Sequence, residues 1–306
     1  MRKIILIEAP SNLGLKEPLP GVEPGVKFFP SAMDKEGFAE VAGIKEKISV
    51  IPPSYSTVID EESKVRNASK IIDYSKQLSK VIDKEIQDNK LPVVIGGDCS
   101  ILIGATLSLK RNGNYGLFFM DGHTDYVLPE QSGTAGAAGM DLAIVTGNGH
   151  EKLTNIESLK PYIREENVFC FGNREIAEAW YVDAIVESDI NYYDLFSLRS
   201  KGINSITKDF LRMIESKKLD GFWIHFDVDV LNDEIMPCVD SRQADGLGYD
   251  ELKLTLEPLI SSPFFSGIDV TIFDPTLDKN SFYIKQFVKE LANCLKIKSN
   301  LRTCSS

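Results

Sequence analysis

The chain has 306 residues, and 43% of them are hydrophobic, so it is long enough to bury a substantial core. Its net charge of −11 at pH 7 argues against nucleic-acid binding, because there is no excess of cations to displace the counterions of a phosphate backbone. No run of about 20 mostly apolar residues occurs, so no membrane span is predicted.

Strand and helix signals alternate along the chain. The apolar run at 4–7 predicts a first buried strand, since a signal peptide would need a longer apolar stretch. Residues 61–89 carry apolar side chains near the 3.6-residue period, which predicts a long amphipathic helix. Residues 92–95 predict a short strand that two glycines end, and residues 101–105 predict a buried helix.

The second half of the chain continues this alternation. Continuous apolar strands are predicted at 117–120, 168–171, 221–226 and 266–271, followed by a closing helix at 282–296. Such strands are typical of a parallel sheet that is covered on both faces. We therefore predict an α/β fold with three layers, α/β/α, as one domain over 1–297, and a polar tail at 298–306.

Three short runs at the ends of predicted strands carry metal-binding groups. They are Gly-Gly-Asp-Cys-Ser at 96–100, Asp-Gly-His-Thr-Asp at 121–125 and Asp-Val-Asp at 227–229. In an extended strand, donors spaced two residues apart emerge on one side. Facing one another without a cation, these carboxylates would repel. The runs therefore predict two divalent metals with a water molecule between them, held by Cys99, Asp121, His123, Asp125, Asp227 and Asp229.

Some of these residues also have simpler interpretations. Asp98 after a strand is typical of a turn former, and a small cysteine such as Cys99 is commonly just buried. His225 faces the same way as Asp227, so it is either a partner behind the ligands or a weak ligand. His150 is a candidate proton shuttle, although a loop histidine is the commoner interpretation.

At these residues the sequence resembles the ureohydrolase family of arginase, agmatinase and formimidoylglutamase. The family's metal motifs read G-G-D-H-S, D-x-H-x-D and D-x-D-x-x-D-P, in the order seen here. Similar segments extend over about 90–290, including 139–143, 236–247 and 267–275. The resemblance implies an arginase-like fold with a mainly parallel sheet of about eight strands. It also implies two Mn²⁺ ions per chain, a small amidine-type substrate and a homo-oligomer, either a trimer or a hexamer.

The resemblance also implies roles for individual residues. Asp125 and Asp227 would bridge the two metals, and Asp125 would relay a proton to the leaving amine. Oxygen ligands with an imidazole suit Mn²⁺, whereas a Cys99 thiolate shifts the preference toward Zn²⁺ or Fe²⁺.

The departures from the family pattern bear on the substrate. Cys99 stands in place of a histidine ligand, and Ala138 in place of a histidine that the family uses for proton transfer. Ile272 replaces the glutamate that grips a guanidinium, and Thr134, after Ser132, replaces an asparagine. The metal ligands are therefore largely kept, while the groups that recognise arginine are largely absent.

We predict a binuclear metal-dependent hydrolase of a linear amidine or guanidine-type C–N bond. Free arginine is not the expected substrate, because a buried cation needs a partner and Ile272 offers none. An N-hydroxyguanidine, an acyl-guanidine or a formimidoyl compound fits better. Asp240 and Arg242 either select a substrate tail or form a solvated rim. The alternative is an inactive arginase-like protein that binds a metal or a ligand.

The cysteines bear on the cellular compartment. The chain has five of them, an odd number, and no Cys-x-x-Cys pair. Disulfide frameworks are built from paired cysteines, so this pattern favours a reducing compartment. We therefore expect the protein to be cytoplasmic.

Overall fold

The computed structural model of the chain describes residues 2–175 and 180–300. Within these residues, eight strands form one sheet: β1 (Lys3–Ala9), β2 (Glu46–Ser49), β3 (Lys90–Gly96), β4 (Tyr115–Met120), β5 (Val168–Phe171), β6 (Asn191–Tyr193), β7 (Gly221–Asp227) and β8 (Phe265–Thr271). Their order across the sheet is β2-β1-β3-β8-β7-β4-β5-β6, and every neighbouring pair is parallel.

Helices cover both faces of the sheet. The α-helices are α1 (Phe29–Lys35), α2 (Phe38–Ala42), α3 (Ala68–Gln87), α4 (Ile101–Asn112), α5 (Asp141–Val145), α6 (Glu151–Thr154), α7 (Trp180–Glu187), α8 (Leu195–Lys201), α9 (Ile203–Ser216), α10 (Tyr249–Ser261) and α11 (Phe282–Asn300). Helices α3 to α7 contribute to the core on one face, and α1, α2 and α8 to α11 to the core on the other. In the part of the chain described, no helix combines the length and apolarity needed to cross a membrane.

Strand β4 shows why its sequence is apolar throughout. Leu117 and Phe119 join the core on one face of the sheet, while Phe118 and Met120 join the core on the other. A strand that is buried on both faces has no solvent side on which polar residues would be favoured. The predicted three-layer fold is confirmed.

The boundaries of some elements differ from the prediction. Helix α3 begins at Ala68 and not near 61, because Asp60 accepts hydrogen bonds from the backbone and side chain of Ser63 and forms a turn there. The short edge strands β2 and β6 were not predicted, since they are held by pairing with β1 and β5. Helix α11 continues to Asn300, so 298–300 belong to it, and residues 301–306 of the expected tail lie outside the described residues.

The sheet order brings the predicted motifs together. Strands β3, β8, β7 and β4 are neighbours near the middle of the sheet, and all are parallel. Their carboxyl ends therefore lie side by side at one edge, which is where open α/β sheets bind ligands. The three metal-binding runs follow β3, β4 and β7, and Ile272 follows β8.

Candidate metal centre

The metal-binding side chains that follow β4 lie on a turn. Strand β4 ends at Met120, and Asp125 has a positive φ of 45°, so the prediction that 121–125 continue as extended strand is wrong. Oδ1 of Asp121 accepts the backbone N–H of His123 at 2.6 Å, which bends the chain directly after the strand. Asp125 and His123 still reach one cavity, but through this turn and not through strand alternation.

The metal-binding side chains at the end of β7 are hydrogen-bonded to this turn. Asp227 is the last residue of β7, and its Oδ1 accepts the N–H of Asp229 at 2.7 Å. Asp229 lies in a short 3-10 turn and accepts the N–H of Gly122 at 3.0 Å. Its other oxygen lies 2.9 Å from Nδ1 of His123. These bonds tie the two metal-binding runs into one cluster.

Cys99 completes the cluster from the turn between β3 and α4. Its Sγ lies 2.9 Å from Oδ2 of Asp227 and 3.1 Å from Oγ1 of Thr271. Asp98 does not point into the cluster, because it accepts hydrogen bonds from Ser11 and from the backbone of Ser100. Asp98 is therefore the turn former that its simpler interpretation predicts.

The electrostatics of the cluster fit a divalent cation. Burial and the charge of Asp229 raise the pKa of Asp121 to about 6, and Oδ2 of Asp121 is buried without a hydrogen-bond partner. Burial and neighbouring carboxylates also raise the pKa values of Asp125 and Asp227. Burial and the charge of Asp227 raise the pKa of the Cys99 thiol. A bound cation would offset this repulsion and favour the ionised ligands.

His123 and Asp229 offset the cost of burying each other's charge. Burial disfavours a charged imidazole, but Asp229 and Asp121 outweigh it and raise the pKa of His123. Burial also disfavours the Asp229 carboxylate, but His123 and the N–H of Gly122 outweigh it and lower its pKa. Each of the two residues thus favours the charged form of the other.

A second group of polar side chains is buried behind the cluster. Nδ1 of His225 lies 2.5 Å from Oδ2 of Asp269, and Nε2 of His225 lies 3.7 Å from Oδ2 of Asp141. Two sets of described residues have ligand atoms within 4.8 Å of one another, namely Asp121, His123 and Asp229, and Cys99, Asp121 and His225. The ring of His225 therefore lies close enough to Cys99 and Asp121 to share an ion with them, and Asp141 is a buried acid outside the three metal-binding runs.

The cluster lies beneath a cavity of about 380 Å³. Most of the predicted site residues line it, with a wall from the loop after β1: Gly14, Leu15, Lys16, Pro18, Cys99, His123, Asp125, Thr134, Ala138, Gly139, Asp227, Asp229, Asp240, Ser241 and Ile272. Ser132 is not among them, and it supports the wall by accepting backbone N–H groups of Thr134 and Ala135. Lys16 and Ser241 were not predicted, because neither belongs to a recognisable motif.

Of the predicted residues that do not line the cavity, Arg242 and His150 make contacts of other kinds. Arg242 donates two hydrogen bonds of 2.7 Å to Asp233 at the surface. Nδ1 of His150 accepts the N–H of Lys152 at the start of α6. Their roles in substrate binding and proton transfer stay predictions that these contacts do not support.

An eight-stranded parallel sheet with buried acidic, imidazole and thiol groups at its carboxyl edge defines an α/β protein with a candidate metal centre. The sequence model of the Arginase family matches residues 3–294. The chain belongs to this family, which consists of hydrolases that act on C–N bonds. The predicted ureohydrolase resemblance is confirmed.

Individual relatives agree with this assignment. An arginase of Staphylococcus aureus (strain COL) is 28% identical over 297 residues, which cover 94% of this chain and 95% of the relative. The structure of arginase from Bacillus caldovelox superposes with a TM-score of 0.85 at 25% identity, covering 96% of this chain and 98% of that one. Formimidoylglutamase from Bacillus subtilis shares the fold, with a TM-score of 0.73 at 20% identity and coverage of 97% and 87%.

Proposed function

We propose that this protein is a binuclear metal-dependent hydrolase of a linear amidine or guanidine-type C–N bond, with a substrate less basic than free arginine. The observation that carries the proposal is the pairing of a buried cluster of metal ligands with Ile272 in the cavity above it. The cluster supports hydrolysis, and Ile272 leaves no carboxylate where the family resemblance places one.

Two divalent ions are the proposed cofactors. Bound at Cys99, Asp121, His123, Asp125, Asp227 and Asp229, they would activate a water molecule at neutral pH and polarise the substrate. We propose Mn²⁺ first, with Zn²⁺ or Fe²⁺ as alternatives, since carboxylates suit the harder ion and the thiol of Cys99 suits the softer ones.

Asp125 is the proposed proton carrier. It lines the cavity together with His123, Asp227 and Asp229, so its carboxylate can reach a substrate that is held there. A carboxylate within reach of the reacting groups is a usual proton relay. Asp125 would accept a proton from the attacking water and pass it to the leaving amine.

The proposed substrate class follows from the apolar side chain at position 272 in the cavity. A guanidinium is cationic at neutral pH and would need a carboxylate partner in a buried position. The buried side chain of Ile272 is an apolar wall, so an N-hydroxyguanidine, an acyl-guanidine or a formimidoyl compound would bind at a smaller desolvation cost.

The test compares kcat/KM for arginine and for its N-hydroxy analogue with the metal-loaded protein. We expect the N-hydroxy compound to be preferred by about tenfold or more, which corresponds to about 1.4 kcal/mol of transition-state stabilisation. Faster turnover of arginine would contradict the proposed effect of Ile272 and would require a cation partner elsewhere in the cavity.

The alternative is a binding protein without turnover. It is favoured by Ala138, which lines the cavity at the position of the family's proton-transferring histidine. Metal-loaded protein that binds amidines but releases no urea, ammonia or amine from any of them would support this alternative.

We also propose a cytoplasmic homo-oligomer, a trimer or a hexamer. Analytical ultracentrifugation would test the oligomeric state.

A further inference from the structure

His225 is held rigidly in the centre of the sheet. It lies on β7 between Phe119 of β4 and Asp269 of β8, and the register pairs it with both residues. Its ring stacks on Phe119 with 4.8 Å between ring centroids, and all three side chains are fully buried. The position of the imidazole is therefore fixed by packing on both sides.

Asp269 determines which nitrogen of His225 carries the proton. One oxygen of Asp269 accepts the indole N–H of Trp223, and the other lies 2.5 Å from Nδ1 of His225. We place the proton on Nδ1, because the carboxylate is the acceptor. Nε2 is then left with a lone pair and has no hydrogen-bond partner. A carboxylate that orients a histidine in this way is typical of metal-binding histidines.

Other unpartnered atoms surround this lone pair. Both oxygens of Asp141 and Oδ2 of Asp121 are buried without hydrogen-bond partners. Oδ2 of Asp141 is 3.7 Å from Nε2 of His225, which is too long for a hydrogen bond. Donor atoms of Cys99 and Asp121 lie within 4.8 Å of the imidazole and of each other. Buried polar atoms that lack partners are rare in folded proteins, and several of them meet here.

We infer that Cys99, Asp121, Asp141 and His225 hold one of the two metal ions, and that His225 supplies the imidazole missing where Cys99 replaces the family's histidine. The inference rests on the proposed metal centre, with which it shares Cys99 and Asp121. One sulfur, one nitrogen and two carboxylate ligands suit Zn²⁺. Asp121, His123 and Asp229 hold the other ion, where carboxylates and one imidazole suit Mn²⁺, and Asp125 and Asp227 remain proposed ligands of the pair.

The first experiment leaves every proposed ligand of this inner site intact. The chain has three histidines, so a His123→Gln, His150→Gln double variant contains His225 as its only imidazole. Zinc-loaded double variant, studied by zinc X-ray absorption, should show one sulfur ligand and one imidazole ligand. Zinc bound through sulfur without imidazole, or no bound zinc at all, would overturn the inference.

The second experiment uses single variants of the cobalt-substituted protein. His225→Gln should remove one ion per chain together with the thiolate-to-cobalt absorption of Cys99. Asp269→Asn, which removes the carboxylate that accepts from Nδ1 of His225, should weaken zinc binding by about 10- to 100-fold. The matched control His123→Gln should keep the thiolate absorption. Unchanged metal content and absorption in His225→Gln would overturn the inference.

These readouts involve no substrate, so they separate this inference from the proposed function. A protein with the inner zinc site but no hydrolysis of any amidine contradicts the proposed function alone. A hydrolase whose metal content and cobalt spectrum do not change in His225→Gln contradicts the inner site alone.

Discussion

Ile272 is the most unusual residue of the cavity. Its φ of 76° lies in the left-handed region, which a β-branched residue rarely adopts. The conformation is held by the bond from its N–H to the carbonyl of Gly97, at 2.7 Å, and by burial of its side chain. Backbone strain of this kind clusters at functional sites, and it persists only where the surrounding structure maintains it.

Replacing Ile272 tests whether it sets the substrate charge. Ile272→Glu should raise kcat/KM for arginine by about tenfold or more, because a carboxylate would pair with the guanidinium. Steady-state kinetics with arginine and N-hydroxyarginine would measure the change. Ile272→Leu is the matched control, since it keeps the wall apolar and should leave the preference for the less basic substrate. An arginine rate that does not rise in Ile272→Glu would show that charge at this position does not select the substrate.

Lys16 and Arg242 are alternative partners for a substrate carboxylate. Lys16 lines the cavity, whereas Arg242 is paired with Asp233 outside it. We expect Lys16→Ala to raise KM for a carboxylate-bearing substrate by about fivefold, the usual limit for an exposed ion pair, and Arg242→Ala to leave KM unchanged. KM for both variants would be compared at low and at high salt. A larger increase in KM for Arg242→Ala than for Lys16→Ala would instead support Arg242 as the partner of the substrate carboxylate, as the sequence predicts.

At the scale of an element, the turn between β3 and α4 positions Cys99. Gly97 lies against the backbone of the loop after β1, and a Cβ on Gly97 would come within 1.6 Å of the carbonyl oxygen of Ser11. The turn and the loop therefore approach each other as closely as glycine allows. This contact joins the cysteine ligand to the cavity wall that Lys16 belongs to.

Gly97→Ala should consequently destabilise the protein by about 3 kcal/mol, the upper range for overpacking, and weaken metal binding through Cys99. Urea denaturation and zinc titration would measure the two effects. Gly133→Ala is the control in the same region, because a Cβ on Gly133 meets no atom within 4 Å. Equal stability of the two variants would mean that the loop and the turn are free to move apart.

At the scale of the molecule, the sheet brings acidic side chains close together at its carboxyl edge, where they repel one another. Asp121 is fully buried, and its pKa in the folded protein is raised from 3.8 to about 6. The folded state therefore binds the proton more tightly than the unfolded state does. The stability that this group contributes is fully present below about pH 4 and is lost as the pH rises through 6.

Asp121→Asn should remove this dependence from the metal-free protein. The variant should gain stability relative to the unsubstituted protein as the pH rises from 4 to 7, because an amide cannot ionise. Thermal unfolding in the presence of a chelator, at several pH values, would measure the difference. Added Zn²⁺ or Mn²⁺ should reverse the order at pH 7, since only the carboxylate binds a cation well. A difference that does not vary with pH would indicate that Asp121 titrates normally in the folded state.

The sequence by itself determined the local features. Apolar runs such as 117–120 predict strands buried on both faces, because a strand with no polar positions has no face for water. The acids and the imidazole that follow these strands predict a metal centre, because like charges at adjacent strand ends need a cation. The family resemblance follows from the same residues.

Only the tertiary structure decided which groups meet. Sheet pairing brings His225 and Asp269 together, although they are 44 positions apart in the chain, and the fold adds Asp141 from α5. It also pairs Arg242 with Asp233 and places Lys16 in the cavity wall. Side-chain periodicity reports only whether a residue faces the core. Strand order and the choice of ion-pair partners depend on contacts between distant segments, so no local pattern contains them.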